Sequence, residues 1–216
     1  MERVICVVIG YVFGLFQTGF LYGKSKKMDI RQHGSGNAGT TNVLRTMGWK
    51  AGAFTFLGDF LKCIFAVLVV KFIFKDSHPG MLPLLGLYAG VGAVLGHNYP
   101  FYLKFKGGKG VATSAGLLCA TNIWIALIAM STFIIIVAIT KYVSIASIVL
   151  IVIFAIGIIT YGEMGGFMLS QESYSYEMYA IAIFLMILTI VKHRANIKRL
   201  IAGTESKITD KKKKTA

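Results

Sequence analysis

The amino-acid sequence predicts an all-α, polytopic membrane protein with seven transmembrane helices. Three observations carry that expectation. The 216-residue chain is 56% hydrophobic, with a mean hydropathy of +0.69. Only 15% of its residues are charged, against about 25% in soluble domains. Its apolar residues gather into runs suited to a ~30 Å hydrocarbon core, and its Lys and Arg residues gather between those runs.

The first run is Val4–Tyr22. Glu2 and Arg3 lead into it and no small-residue cleavage site follows, so it is expected to stay as a span rather than leave as a signal peptide. The segment Gly23–Lys50 carries Lys24, Lys26, Lys27, Arg31, Arg45 and Lys50. The second run, Ala51–Phe74, holds Asp59 and Lys62 at i,i+3, a costly intramembrane pair with either a structural or a functional reason. Met81–Gly96 follows, then a basic segment with Lys104, Lys106 and Lys109. The run Val111–Thr140 would be about 45 Å long as one helix, against a ~30 Å core. Ala120-Thr121-Asn122 interrupts it, so two helices with a turn near Thr121 are expected, the first too short to span alone. Val143–Tyr161 follows Lys141, and Met178–Val191 is the last run.

Charge sets the sidedness. Gly162–Glu177 has Glu163, Glu172 and Glu177 but no Lys or Arg, whereas the C-terminal segment has Lys192, Arg194, Lys198, Arg199, Lys207 and Lys211–Lys214. Cytoplasmic loops carry the Lys/Arg excess. All basic segments share one side only if Val111–Thr140 crosses twice. The expected topology therefore has the N-terminus outside and the C-terminus in the cytoplasm. The chain reads as a single domain over residues 1–216, with a short basic tail at 206–216. The Lys211–Lys214 run is either a solvated tail or a contact for anionic lipid.

The net charge of +14 calls for an anionic partner. In so apolar a chain that means lipid headgroups or a small phosphate, and no nucleic-acid-binding motif is present. Cys6, Cys63 and Cys119 lie far apart inside apolar runs, without metal-ligand spacing, and read as structural. Nothing in the sequence specifies an oligomeric state.

Three polar segments have compositions that plain loops do not need. In Gly34-Ser35-Gly36-Asn37-Ala38-Gly39-Thr40-Thr41-Asn42-Val43-Leu44-Arg45 the glycines permit positive φ, the hydroxyls add donors, and successive N–H groups suit an anion nest. A helix starting there would add its positive end and put Thr41 and Arg45 on one face. A Gly/Ser turn with a helix cap is the plainer reading. The second segment is Gly96-His97-Asn98-Tyr99-Pro100 through Lys104-Phe105-Lys106-Gly107-Gly108-Lys109-Gly110. It is no Walker A loop, and membrane anchoring explains its Lys but not its Gly residues. The third runs from Lys192-His193 to Glu205. As a helix leaving the last span it would align His193, Asn196, Arg199 or Leu200, and Gly203 on one stripe. Ser144, after Lys141, is a helix cap or a further donor.

Several chemistries are excluded. Five residues after His33, His78, His97 and His193 stand Ala38, Pro83, Tyr102 and Lys198, so the His-x-x-x-x-Asp motif of soluble-donor acyltransferases is absent. There is no G-x-S-x-G elbow, and Asp29, Asp59, Asp76 and Asp210 do not cluster as a metal site. The remaining site is basic, Gly-rich and without an evident nucleophile, which suits substrates that bring their own activation.

These three motifs, in this order and with this span layout, resemble the bacterial acyl-phosphate:glycerol-3-phosphate acyltransferase family over nearly the whole chain. Asp59-Phe60-Leu61-Lys62 is also similar to the family's Asp-x-x-Lys, while Thr40 replaces a more usual Ala. The resemblance implies acyl transfer from acyl phosphate to the 1-hydroxyl of glycerol 3-phosphate at the cytoplasmic face of the plasma membrane. The products are lysophosphatidate and phosphate, and no metal or coenzyme is implied. Under that reading the donor's head lies among Ser35, Gly36, Asn37, Gly39, Thr41 and Asn42, with Ser144. Arg45, Lys104, His193 and Asn196 hold the acceptor. Gly107, Gly108 and Lys109 shape the floor, and Arg199 is a further substrate-binding residue. His97, His193 or a substrate phosphate takes the hydroxyl proton. A phosphate-ester transporter would use the same basic loops, but wants a midplane site and inverted repeats, and neither is found. A non-catalytic lipid-binding protein leaves the three motifs unexplained.

Overall fold

The structure is a computed structural model that describes residues 1–210; the Lys211–Lys214 run lies outside the described residues. The helices are α1 (Glu2–Gly14), α2 (Thr18–Ser25), α3 (Thr40–Met47), α4 (Trp49–Phe74), α5 (Leu82–Asn98), α6 (Val111–Thr121), α7 (Ile123–Thr140), α8 (Val143–Glu163), α9 (Glu172–Lys192) and α10 (Arg194–Ile201). Among the described residues, 6 helical stretches are long and apolar enough to cross a membrane: Glu2–Ser25, Trp49–Phe74, Pro79–Leu103, Ile123–Thr140, Val143–Glu163 and Glu172–Lys192. α6 has 11 residues and falls short of that length.

Two helix interruptions have identifiable causes. The first apolar run is not the continuous helix its composition suggests: α1 ends at Gly14 and α2 begins at Thr18. Gln17 Nε2 fills the gap by donating to the carbonyls of Gly14 (3.1 Å), Gly96 (3.3 Å) and His97 (3.1 Å). Freed carbonyls at such depth must be satisfied by the protein. The second break falls where the polar triplet predicts it. Asn122 is extended (φ −154°), and its Oδ1 accepts from the N–H groups of Trp124 (2.9 Å) and Ile125 (3.1 Å). That is an N-cap on α7. At the other side of the joint, Lys71 Nζ of α4 donates to Ala120 O (2.9 Å).

The basic connections meet at one end of the bundle. There Arg45 Nη2 donates to Ser206 O (2.8 Å), Lys192 Nζ to Asn98 O (3.3 Å) and Ile208 N to Lys141 O (2.8 Å). The opposite end is closed by Ser170 N on Gly80 O (3.0 Å) and by Arg3, whose Nη2 lies 2.6 Å from Glu177 Oε1. α6 runs from the first end, at Val111, toward the second, at the Lys71 contact.

Small residues set the helix spacing. On α5, a Cβ at Gly92 would overlap the Val7 carbonyl oxygen of α1, and one at Gly10 would overlap Ala89 O. Backbones at that distance gain dispersion where lipid offers no hydrophobic drive. The outward face of α7 exposes Ile128, Ile135 and Ile139, as a lipid-facing surface requires. A smaller apolar cluster of Phe20, Ile30, Val43, Ala51 and Leu103 seats α3 beneath the first polar segment.

Gly92→Val is expected to destabilise the protein by about 1–3 kcal/mol or more, because the α1–α5 interface has no room to relax. Denaturant unfolding in bicelles measures this.

Candidate active site

At the basic end the three polar segments line one cavity of about 1260 Å³. The first segment folds around Asn42. Its Nδ2 donates to the carbonyls of Ile30 (3.2 Å), His33 (3.0 Å) and Asn37 (2.8 Å), and its Oδ1 accepts from Ser35 N (2.8 Å). Gly34 (φ +63°) and Gly36 (φ +72°) supply the left-handed turns this wrapping needs. Asn37 Oδ1 holds Gly39 N (2.9 Å), and α3 starts at the next residue. Ser35 is exposed on the loop, and Ser35, Gly36, Asn37, Gly39, Thr41 and Asn42 all line the cavity. Asn42 therefore spends its amide on the loop itself. Thr40 Oγ1 and Arg45 Nε are buried without a partner at this same wall. Burial lowers the Arg45 pKa, against the opposing pull of Glu205.

The second segment is split by the fold. Lys109 reaches the cavity and donates to Asn196 Oδ1. Desolvation holds its pKa down at about 8. Gly107 N bonds Asn98 O (3.3 Å) and Gly108 N bonds His97 O (3.0 Å), so these glycines close the loop against α5. Lys104 stands exposed at a left-handed turn (φ 54°) and is not among the residues that line the cavity. Its expected company with Arg45, His193 and Asn196 is not what the structure brings together. His97 is buried at the cavity, with Nδ1 2.8 Å from Lys62 Nζ.

The third segment does not continue the last span. The chain bends at His193, where α9 gives way to the separate helix α10. Gly203 (φ +68°) then turns the chain back, so it leaves the stripe expected of one helix. The turn delivers Glu205, a residue with no assigned role in the sequence reading. Its Oε1 accepts from Asn196 Nδ2 (2.6 Å) and Ser144 Oγ (3.1 Å), and its Oε2 from Arg199 Nε (2.7 Å). Burial raises its pKa, but the hydrogen bonds from Asn196 and Arg199 outweigh that and leave it lowered. His193 Nδ1 lies 2.8 Å from Thr189 O. Desolvation, then the Lys109 charge, brings its pKa down to about 4, so the ring is neutral at pH 7.

Lys192, which entered the sequence reading only as one of the charges that set sidedness, also lines the cavity and sits 4.4 Å from the centre of the Tyr99 ring. Among the described residues the cavity thus joins Arg45, Lys109, Lys192 and Arg199 to an apolar wall of Phe56, Met130, Phe133, Ile134 and Leu150. Such a site suits a molecule with a phosphate head and a hydrocarbon chain. Among the described residues no cluster of His, Cys, Asp and Glu could hold a metal.

Known proteins share this architecture. The glycerol-3-phosphate acyltransferase family matches residues 4–203. The glycerol-3-phosphate acyltransferase of Clostridioides difficile is 45% identical over 97% of both chains, and that of Thermoanaerobacter pseudethanolicus is 38% identical over 98% of both. A crystal structure of PlsY (YgiH), an integral membrane glycerol 3-phosphate acyltransferase in its glycerol 3-phosphate form, matches with a TM-score of 0.80 and 33% identity, covering 96% of each chain. Its lysophosphatidic acid form matches with a TM-score of 0.78 and 32% identity, over 96% of this chain and 95% of that one.

Glu205→Ala is expected to cost about 1.5–3 kcal/mol, since it strands buried donors from Ser144 and Asn196. Glu205→Gln keeps an acceptor oxygen and should cost less. Unfolding in detergent ranks the two variants, and equal stability of Glu205→Ala and wild type would remove the carboxylate's holding role.

Proposed function

The chain belongs to the PlsY-type glycerol-3-phosphate acyltransferase family, integral membrane enzymes of phospholipid synthesis, and on that premise we propose that it transfers a fatty acyl group from acyl phosphate to the 1-hydroxyl of glycerol 3-phosphate. The products are lysophosphatidate and inorganic phosphate. The observation that carries this reading is the double character of the cavity, basic across three motifs and apolar along α4, α7 and α8. An acyl phosphate needs both, and glycerol 3-phosphate needs the first.

The transfer is direct. The 1-hydroxyl oxygen attacks the acyl carbon, the bond from that carbon to the phosphate oxygen breaks, and the hydroxyl proton ends on the departing phosphate. The donor is a mixed anhydride, so its phosphate is already a good leaving group. The loop of Ser35–Thr41 and the open first-turn N–H groups of α3 hold the donor head, while Ser144, expected beside them, spends its one hydroxyl proton on Glu205 Oε1 and so positions that carboxylate. Arg45 and Asn196 hold the acceptor, with Lys109 and Arg199 beside them. Arg45 suits this role because its planar fork meets phosphate bidentately and, among the described residues, its one hydrogen bond is to Ser206 O. Lys104, outside the cavity, adds long-range attraction for anions. His193 Nδ1 faces a carbonyl, which can only accept, so its proton sits there and Nε2 is left to relay the hydroxyl proton. Positioning alone supplies effective molarities of roughly 10⁵ M or more. No covalent acyl-enzyme is formed: no cysteine lines the cavity, and Cys6 and Cys63 are fully buried.

The seven-span topology belongs to the same proposal. α6 starts at the cavity and ends at the far-side Lys71 contact, which supports reading it as a short seventh crossing. The cavity then faces the cytoplasm, where both substrates are expected.

The central test is purified protein with acyl phosphate and glycerol 3-phosphate, assayed for lysophosphatidate. Acyl-CoA and acyl-carrier-protein thioesters serve as competing donors, and turnover from a thioester alone would overturn the donor assignment. Labelling from outside in a Cys-free background should reach a Cys introduced at the exposed Ser173 but not one at the exposed Thr209; the reverse pattern would reject the orientation.

A pH profile tests Lys109. Its pKa is depressed to about 8, so its charge is complete below that pH and lost as pH rises through it. kcat/KM for glycerol 3-phosphate, which reports the free enzyme, should fall between pH 7 and 9. Lys109→Arg should flatten the fall, because a guanidinium stays charged throughout.

A further inference from the structure

Asp59 and Lys62 lie on the second span, 1% and 5% exposed, yet neither enters the transfer scheme. Lys62 Nζ has three partners at 2.8 Å: Phe16 O, Asp59 Oδ1 and His97 Nδ1. An ammonium has three N–H donors and no lone pair, so three acceptors satisfy it completely. Each acceptor comes from a different element. Phe16 O lies at the α1–α2 break, Asp59 on α4 and His97 on α5. Asp59 Oδ1 also accepts from Thr18 Oγ1 (3.2 Å), which fixes the carboxylate.

This arrangement has a consequence for His97. Its Nδ1 faces a group that can only donate, so Nδ1 supplies the lone pair. The Asp59 oxygen is farther from Nδ1, at 3.5 Å, and does not compete as an acceptor for a proton there. The ring proton must then sit on Nε2. Among the described residues no protein acceptor takes that Nε2–H, and His97 lines the cavity. A Cβ on Gly108 would overlap Nε2, so only glycine at that position lets the loop pack against this edge of the ring.

We propose that Lys62 is a positioning residue that fixes His97 in its Nε2–H tautomer, making His97 a hydrogen-bond donor to a phosphate oxygen of a bound substrate rather than a proton acceptor. The inference rests on the acyl-transfer reading of this cavity. The two site histidines then have opposite assignments. His97 is held by a donor on Nδ1 and donates from Nε2, whereas His193 is held by a carbonyl on Nδ1 and keeps the Nε2 lone pair. The buried ion pair is the device that makes them differ. An ammonium at this depth needs a counter-charge, which Asp59 provides.

The test begins with the unliganded wild-type protein, labelled with ¹⁵N-histidine in lipid nanodiscs. His97, assigned by its loss in His97→Gln, should show a protonated Nε2 and an unprotonated Nδ1. A protonated Nδ1 would overturn the proposal, and this reading involves no substrate, so it stands apart from any failure of the acyl-phosphate assignment. Asp59→Glu keeps the ammonium and its counter-charge, and should keep the tautomer. The double variant Asp59→Asn/Lys62→Met removes the donor without stranding a charge, and should release it; retention of the wild-type tautomer there would overturn Lys62 as its cause.

Turnover separates donor from base. Gln places an amide N–H near the position of Nε2 but cannot take up a proton. His97→Ala should lower kcat/KM by about tenfold to a hundredfold, the worth of one hydrogen bond to a charged group. His97→Gln should recover most of that loss. Equal loss in both variants would show that His97 acts as a base or by its ring shape, and would overturn the donor role.

Discussion

Irregular backbone inside a membrane must find its hydrogen bonds within the protein, and the break between α1 and α2 is where this constraint shapes everything else. The open carbonyls around it are met from two sides. Gln17 Nε2 turns back to Gly14 O and across to Gly96 O and His97 O, while Lys62 Nζ takes Phe16 O. The contacts with Gly96, His97 and Lys62 tie the break to the end of α5 and the middle of α4. The chain can then leave the first span as α2 and lay the Gly34–Arg45 segment over the bundle end. Without the break, the first polar motif would not meet the second.

The cavity's electrostatics follow a related economy. Arg45, Lys109, Lys192 and Arg199 crowd one site, and like charges at that range repel. Glu205 offsets part of this and does so while holding Ser144, Asn196 and Arg199 in place. One carboxylate of the C-terminal turn thus organises donors from α8 and α10. Its cost of burial is met by hydrogen bonds rather than by charge alone, which keeps the net field positive for anionic substrates.

Rigidity comes from the same bundle. The Gly-lined contact of α1 with α5 and the seat of Gly116 against Phe60 O on α4 leave little room for sliding. α7 is the contrast, with a broad exposed apolar face toward lipid. The cavity's apolar wall draws Met130, Phe133 and Ile134 from this helix. The lipid-facing helix thus supplies part of the surface for a hydrocarbon chain.

Composition and charge were sufficient to read the all-helical membrane class, the clustering of basic loops and the helix joint at Asn122, because these depend on local hydropathy and on polar residues that interrupt an apolar run. The motifs were legible as well, since glycine, hydroxyl and basic residues in one short segment have few structural uses together. Tertiary structure alone decided which residues meet. Lys104 and Lys109 look alike in the sequence, yet a left-handed turn at Lys104 leaves it exposed while Lys109 reaches Asn196. Glu205 was one acid among many basic neighbours until Gly203 turned it back on Asn196 and Arg199. His97 and His193 carry identical rings, and their opposite surroundings come from Lys62, distant in sequence, and from the Thr189 carbonyl. Chain direction after a turn and the partner of a ring nitrogen are properties of packing between distant segments, and no local pattern encodes them.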